Sequence, residues 1–223
     1  MINIKEQQDL LNNIAKELKE KLIVYAVGGT AMMFHGIKDT TKDIDLVFNN
    51  DKERAYFEEA AISLGYKKFD PVIVYGTEKE NQPIMLSRGK ENSERIDLFS
   101  YNVISFFFSE NMKKRAENTI EFGEKLILKI ADVHDLILMK CATDRVKDAE
   151  DVKTIVETQQ ITWRTIIEEA KHQMTIGKDH AIFELGNFLD KLKRELKLDI
   201  PKEIIDELYN LLIDETEAKK KRT

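Results

Sequence analysis

The pattern of apolar and polar positions changes character along the chain. Residues 3–21 carry Leu10, Leu11, Ile14, Ala15 and Leu18 at helical spacing among charges, which predicts an opening amphipathic helix. "KLIVYAV" (21–27) runs apolar without a break and predicts a buried strand that stops at Gly28-Gly29. "TAMMFHG" predicts a short helix ended by Gly36, and "DIDLVF" (43–48) a second strand. Asn49-Asn50-Asp51 follows as turn and cap for a helix over 52–64. "PVIVYG" and "PIMLSR" predict a pair of strands around a polar segment with Gly76. "RIDLFS" predicts a further strand, 101–117 a helix despite the β-prone "VISFFF", and "EKLILKI" a last strand.

After Ala131 no strand-like run remains, and three or four amphipathic helices are expected over 132–218. The expected fold class is α/β (α+β): a mixed β-sheet flanked by helices over 1–130, followed by a helical C-terminal domain over 131–223. The βα alternation is too irregular, and the sheet too short, for a doubly wound nucleotide fold. No internal repeat is visible.

Composition narrows the class. The chain has 223 residues, 42% of them hydrophobic and 34% charged, enough for a sizeable core. The net charge of −6 disfavours broad electrostatic binding to nucleic acid or anionic membrane. One cysteine, Cys141, excludes an internal disulfide and fits a reducing cytoplasm. The first residues, "MINIKEQQDLL", carry charge where a signal peptide needs an apolar core, and no apolar run approaches the ~20 residues that span a bilayer. A cytoplasmic protein without membrane association is expected.

The chemistry concentrates in "VGGTAMMFHGIKDTTKDIDLVF" (27–48). Successive strand side chains point to opposite faces, so Asp43 and Asp45 share one face, and Ile44, Leu46 and Phe48 take the other. In "ERIDLF" the same alternation sets Asp97 opposite Ile96 and Leu98. If the two strands are neighbours, three carboxylates converge, and they repel one another unless hard cations lie between them. Two Mg²⁺ ions about 3.5–4 Å apart form the usual clamp for in-line phosphoryl displacement. Gly28-Gly29 would let backbone N–H groups approach a phosphate at a helix N-terminus, and Thr30 would add a hydroxyl.

The order strand, Gly-Gly, helix, Asp-x-Asp on a strand, then a later single Asp resembles the DNA polymerase beta-type nucleotidyltransferase superfamily. "GGTAMMFHG" followed by "TTKDIDL" is similar to its small antibiotic and abortive-infection toxin branches. The motifs cover about residues 23–99, and Gly29 stands where many members have serine. The resemblance implies that Asp43, Asp45 and Asp97 hold the ions, that Asp97 is also the general base, and that Gly28 and Gly29 hold the triphosphate. A second stretch, "ADVHDLILMKCATDRVKDAEDV", resembles the helical segment after the sheet in those branches. It implies triphosphate or acceptor contacts for Lys140, Arg145 and Lys147, with Asp148 orienting one of them. Arg145, Lys147, Asp148 and Asp151 also read as a charged helix junction with internal pairs, and Lys140 as a solvated charge. His35 reads as a packing or capping residue, Cys141 as a small core residue and Phe106-Phe107-Phe108 as core.

Two functions of different class follow. One is a Mg²⁺-dependent nucleotidyltransferase that moves a nucleoside monophosphate from an NTP to an acceptor hydroxyl or phosphate and releases pyrophosphate. The acceptor, whether small molecule, protein or RNA end, is left open, and the acidic balance counts against an RNA end. The other is a non-catalytic nucleotide-binding module or one partner of a toxin–antitoxin pair.

Overall fold

In the computed structural model, residues 1–75, 81–89, 94–143 and 145–222 are described. The chain divides into two compact units, Met1–Ile104 with Phe108–Asp132, and Ser105–Phe107 with Val133–Thr223. In chain order the elements are β1 (Ile2–Asn3), α1 (Ile4–Glu17), β2 (Leu22–Ala26), α2 (Gly28–Phe34), β3 (Thr40–Thr41), β4 (Asp43–Phe48), α3 (Asp51–Ser63), β5 (Lys67–Phe69), α4 (Val72–Tyr75), β6 (Ile84–Ser87), β7 (Arg95–Ser100), β8 (Asn102–Val103), β9 (Phe106–Phe107), α5 (Glu110–Arg115), β10 (Thr119–Phe122) and β11 (Leu126–Ile130). Helices α6 (Val133–Lys140), α7 (Val146–Thr158), α8 (Trp163–Thr175), α9 (Asp179–Glu195) and α10 (Lys202–Arg222) complete the chain.

The first unit is built on a seven-stranded sheet in the order β10-β11-β2-β4-β7-β6-β5. The sheet is mixed: β11 runs parallel to β2 and β4 parallel to β7, while the other neighbours are antiparallel. Strand β4 is central, and its alternation decides what each face carries. Ile44, Leu46 and Phe48 are buried together, and Phe48 meets Phe57 of α3 with ring centroids 5.3 Å apart. Helix α3 starts where Asn50 Oδ1 accepts the Glu53 N–H at 2.9 Å, and it packs against β4, β7 and α1. Asn3 and Glu6 form a reciprocal capping box at the start of α1. With that apolar face covered, the opposite face of β4 carries Asp43 and Asp45.

The second unit is helical apart from the short β9 segment. Leu136, Ile137, Val152, Ile155, Ile166, Ile167, Ile182, Leu185 and Leu189 form its buried apolar core. Gln173 of α8 holds β9 by both amide atoms: its Nε2 donates to the Phe107 carbonyl at 2.8 Å and its Oε1 accepts the Phe107 N–H at 3.1 Å. No helix of the described residues is long and apolar enough to cross a membrane.

Several local expectations are corrected. Val72–Tyr75, read as a strand from its β-branched residues, is one turn of helix. Asp70 Oδ1 accepts the Val72 N–H at 2.9 Å, and the Val74 N–H reaches the Pro71 carbonyl at 2.9 Å, so a side-chain cap and a proline start the turn. The polar segment around Gly76 lies outside the described residues. Residues 101–117 do not form one helix: φ is positive at Tyr101 (60°) and Ile104 (54°), the short strands β8 and β9 follow them in turn, and helix begins only at α5. Ser109 Oγ accepts the Met112 N–H at 3.1 Å and caps α5. Strand β6 pairs with the short, polar β5, and β11 gains a hairpin partner in β10. After residue 132 five helices are described where three or four were expected.

Candidate active site

The site begins where β2 ends. Beyond the Ala26–Leu46 pair the β4 backbone loses its ladder partner on that side, and α2 supplies substitutes. The Val27 N–H donates to the Asp45 carbonyl at 3.1 Å. The Asp45 N–H donates to Thr30 Oγ1 at 2.9 Å, and the Thr30 hydroxyl donates to the Asp43 carbonyl at 3.4 Å. Thr30 is fully buried, so its hydroxyl holds the backbone of the two aspartates rather than facing open solvent.

The two glycines make this approach possible. Gly28 sits at φ +54°, and a Cβ there would lie 2.4 Å from Asp45 Oδ2. A Cβ on Gly29 would lie 2.4 Å from Thr41 Oγ1. The space left by the missing side chains is therefore filled by the chain's own Asp45 and Thr41. The N-cap residue of α2, Val27, makes no side-chain cap hydrogen bond.

On the other side of β4 the parallel register to β7 sets Asp43 beside Arg95 and Asp45 beside Asp97. One carboxylate oxygen from each of Asp43, Asp45 and Asp97 lies within 4.8 Å of the others. Asp97 is fully buried, flanked on the β6 side by the buried Met85. Burying that charge demands compensation. Arg95 Nε donates to Asp97 Oδ1 at 2.7 Å and Arg95 Nη2 to Asp97 Oδ2 at 3.1 Å, a bidentate, charge-assisted pair. The same Nη2 also donates to Asp43 Oδ2. Arg95 is thus set against both Asp43 and Asp97 as a counter-charge. The cluster's donor set is all oxygen, and it fits a hard divalent cation, with Asp43, Asp45 and Asp97 as the residues that would hold it.

Gly28, Gly29, Thr30, Asp43, Asp45 and Asp97 thus come together in the first unit. Arg95 belongs with them and was missed by the sequence reading. The available signal was its place two residues before Asp97, hence on the same strand face. His35 makes a ring-nitrogen hydrogen bond of 2.8 Å to the Ala131 carbonyl.

Lys140, Arg145 and Lys147 lie in the second unit. Lys140 is buried, with Nζ 2.8 Å from Asp148 Oδ1 and 2.5 Å from Asp151 Oδ2. Arg145 is half exposed and donates through Nε to Asp148 Oδ2 at 2.8 Å, and Thr143 donates to the same carboxylate. Lys147 is exposed. Burial would lower the Lys140 pKa, but Asp148 and Asp151 outweigh it and hold the ammonium above its ordinary value. Burial would likewise raise Asp148, but Lys140 and Arg145 hold it below the usual carboxylate range. Cys141 is buried, and its thiol donates to the Leu138 carbonyl.

Comparison with known proteins gives the class. The model of the family described as "Nucleotidyl transferase of unknown function (DUF2204)" matches residues 7–222, and the chain belongs to that family. No curated protein matches the chain. Among solved structures, it is similar to a crystal structure described as a "putative nucleotidyltransferase from H. pylori". That similarity covers 98% of this chain and 97% of the other, at 14% identity and a TM-score of 0.42.

Proposed function

We propose that this protein transfers a nucleoside monophosphate from an NTP to an acceptor hydroxyl or phosphate and releases pyrophosphate. The observation that carries the reading is the Asp45–Asp97 register pair with Asp43 beside it, at the end of a Gly-Gly turn. Family membership supports nucleotidyl transfer as the reaction class. The motifs "GGTAMMFHG" and "TTKDIDL" support kinship with the small antibiotic and abortive-infection toxin enzymes. The single buried cysteine, Cys141, suits the reducing cytoplasm.

Asp43 and Asp45 would hold the divalent ions, and Thr30 fixes the backbone that presents both carboxylates. When bound, two Mg²⁺ ions would supply charge neutralisation on the reacting phosphate and the departing pyrophosphate. Asp97 completes the ligand set and takes the acceptor proton on a carboxylate oxygen as the acceptor oxygen bonds to the α-phosphorus and the bond to pyrophosphate breaks. The first-turn N–H groups of α2, with Gly28 and Gly29, meet the triphosphate. Arg145 and Lys147, with exposed charge, are assigned to triphosphate or acceptor contacts. Lys140, already engaged with Asp148 and Asp151, is assigned to holding α6 against α7.

The test is transfer of label from each α-³²P-labelled NTP in Mg²⁺ to small molecules, proteins and RNA. Label transfer by the wild-type protein, lost in Asp43→Ala and Asp45→Ala, is expected. Undiminished transfer by those variants would overturn the metal assignment. NTP binding without turnover on any acceptor would favour a nucleotide-binding module or a toxin–antitoxin partner.

A further inference from the structure

Arg95 stands where a cation belongs. Its guanidinium spans both oxygens of Asp97 and reaches Asp43 Oδ2, so two of the three clustered carboxylates are already served by one positive group. The strand geometry makes this contact hard to avoid: Arg95 is the cross-strand partner of Asp43 and lies two residues before Asp97 on the same face. Side-chain exposures of 18% for Arg95, 16% for Asp43 and 0% for Asp97 keep the group away from competing water. A divalent ion on these oxygens would sit beside the guanidinium and be repelled by it.

We propose that Arg95 is an internal counter-cation that competes with the divalent metal for Asp43 and Asp97. The site then has two exclusive arrangements: closed, with the arginine fork across the carboxylates, and open, with the fork withdrawn and the oxygens released to metal. This rests on the reading that these carboxylates are metal ligands. It adds that metal affinity is set by the release of Arg95, a positioning residue that keeps the buried Asp97 charge paired while no metal is bound. An incoming triphosphate offers the guanidinium a different anion, because arginine pairs with phosphate as readily as with carboxylate. Nucleotide and metal therefore favour each other through Arg95, by linkage.

The experiment is calorimetric Mn²⁺ binding, without nucleotide, to the full chain and to Arg95→Gln, Arg95→Lys and Asp45→Asn, with thermal unfolding run on each. The expected result is Mn²⁺ binding about tenfold tighter or more in both Arg95 variants, since the closed fraction no longer taxes affinity, and lost in Asp45→Asn. Arg95→Lys binding as the wild type does, with only Arg95→Gln tighter, would mean a general charge effect and overturn the proposal. So would wild-type or weaker affinity in both Arg95 variants while Asp45→Asn abolishes binding, an outcome that leaves the metal reading standing. Binding that is absent from every form, or unchanged in Asp45→Asn, would instead remove the metal reading itself, and the proposal with it. Should the variants not fold, NMR of the wild type decides. The Nε–Hε signal of Arg95 is expected to exchange slowly without metal and to move and exchange faster in Mg²⁺. A signal unmoved at saturating Mg²⁺ would overturn the proposal.

Discussion

Asp45 and Asp97 stand directly opposite each other in the parallel β4–β7 pair, like charge against like. Like charges directly opposite on neighbouring strands oppose folding. Asp45→Asn is therefore expected to leave stability unchanged or raise it in denaturant unfolding. The same variant is expected to lose nucleotidyl transfer by roughly 10³-fold, as befits loss of a ligand worth several kcal/mol in the transition state. A variant that lost activity and stability together would point to a structural role instead.

Gly28 answers to Asp45 before it answers to any ligand. Gly28→Ala forces a left-handed backbone on a residue with a Cβ and drives that carbon against Asp45 Oδ2. A loss of roughly 1–3 kcal/mol of stability is expected, together with weakened Mn²⁺ binding because the carboxylate must turn. Chemical denaturation and calorimetry on the same preparation check both.

Thr30 continues the sheet with a side chain. Thr30→Val leaves the part-buried Asp45 N–H without its hydroxyl acceptor, at a cost of about 1–3 kcal/mol. Thr30→Ser keeps the oxygen and is expected to retain most of that stability. Equal losses in the two variants would mean that packing, not the hydrogen bond, is what Thr30 supplies.

Much of this site was legible in the sequence because its signals are local. Period-2 alternation put Asp43 and Asp45 on one face of β4 and Asp97 on the corresponding face of β7, and Gly-Gly marked the strand end. That the strands are neighbours, in the register that pairs 45 with 97, is a tertiary fact that no local pattern encodes. Arg95 escaped notice because a charge at a strand's first residue looks like an ordinary solvated end. Val72–Tyr75 misled in the other direction: β-branched residues suggested a strand, but the Asp70 cap and Pro71 determine a helical turn. Residues 101–117 are broken by left-handed backbone at Tyr101 and Ile104, neither a residue type that announces it. Strands β5 and β10 are short and polar enough that only their partners define them.

In the second unit, Lys140 is the partner on which two buried carboxylates depend. Lys140→Ala leaves Asp148 and Asp151 without that counter-charge, and a loss of roughly 3–5 kcal/mol is expected.

The same pair sets a pH dependence. Asp148, held below its unfolded pKa of about 3.9, contributes stability above that value and loses it as pH falls through the lower folded value. Lys140, held above its ordinary value, contributes below the unfolded pKa of about 10.4 and loses that contribution as pH rises through the higher folded value. The stability gap between wild type and Asp148→Asn is thus expected to be widest near neutral pH and to close below about pH 4. Urea unfolding across pH 2–8 reads it directly.

The most direct measurement of the account is anomalous diffraction from crystals grown with Mn²⁺ and a non-hydrolysable NTP. A manganese peak in contact with oxygens of Asp43, Asp45 and Asp97, with the triphosphate beside the Gly28-Gly29 turn, is the expected result. Manganese bound elsewhere, with Arg95 still spanning Asp43 and Asp97, would contradict it.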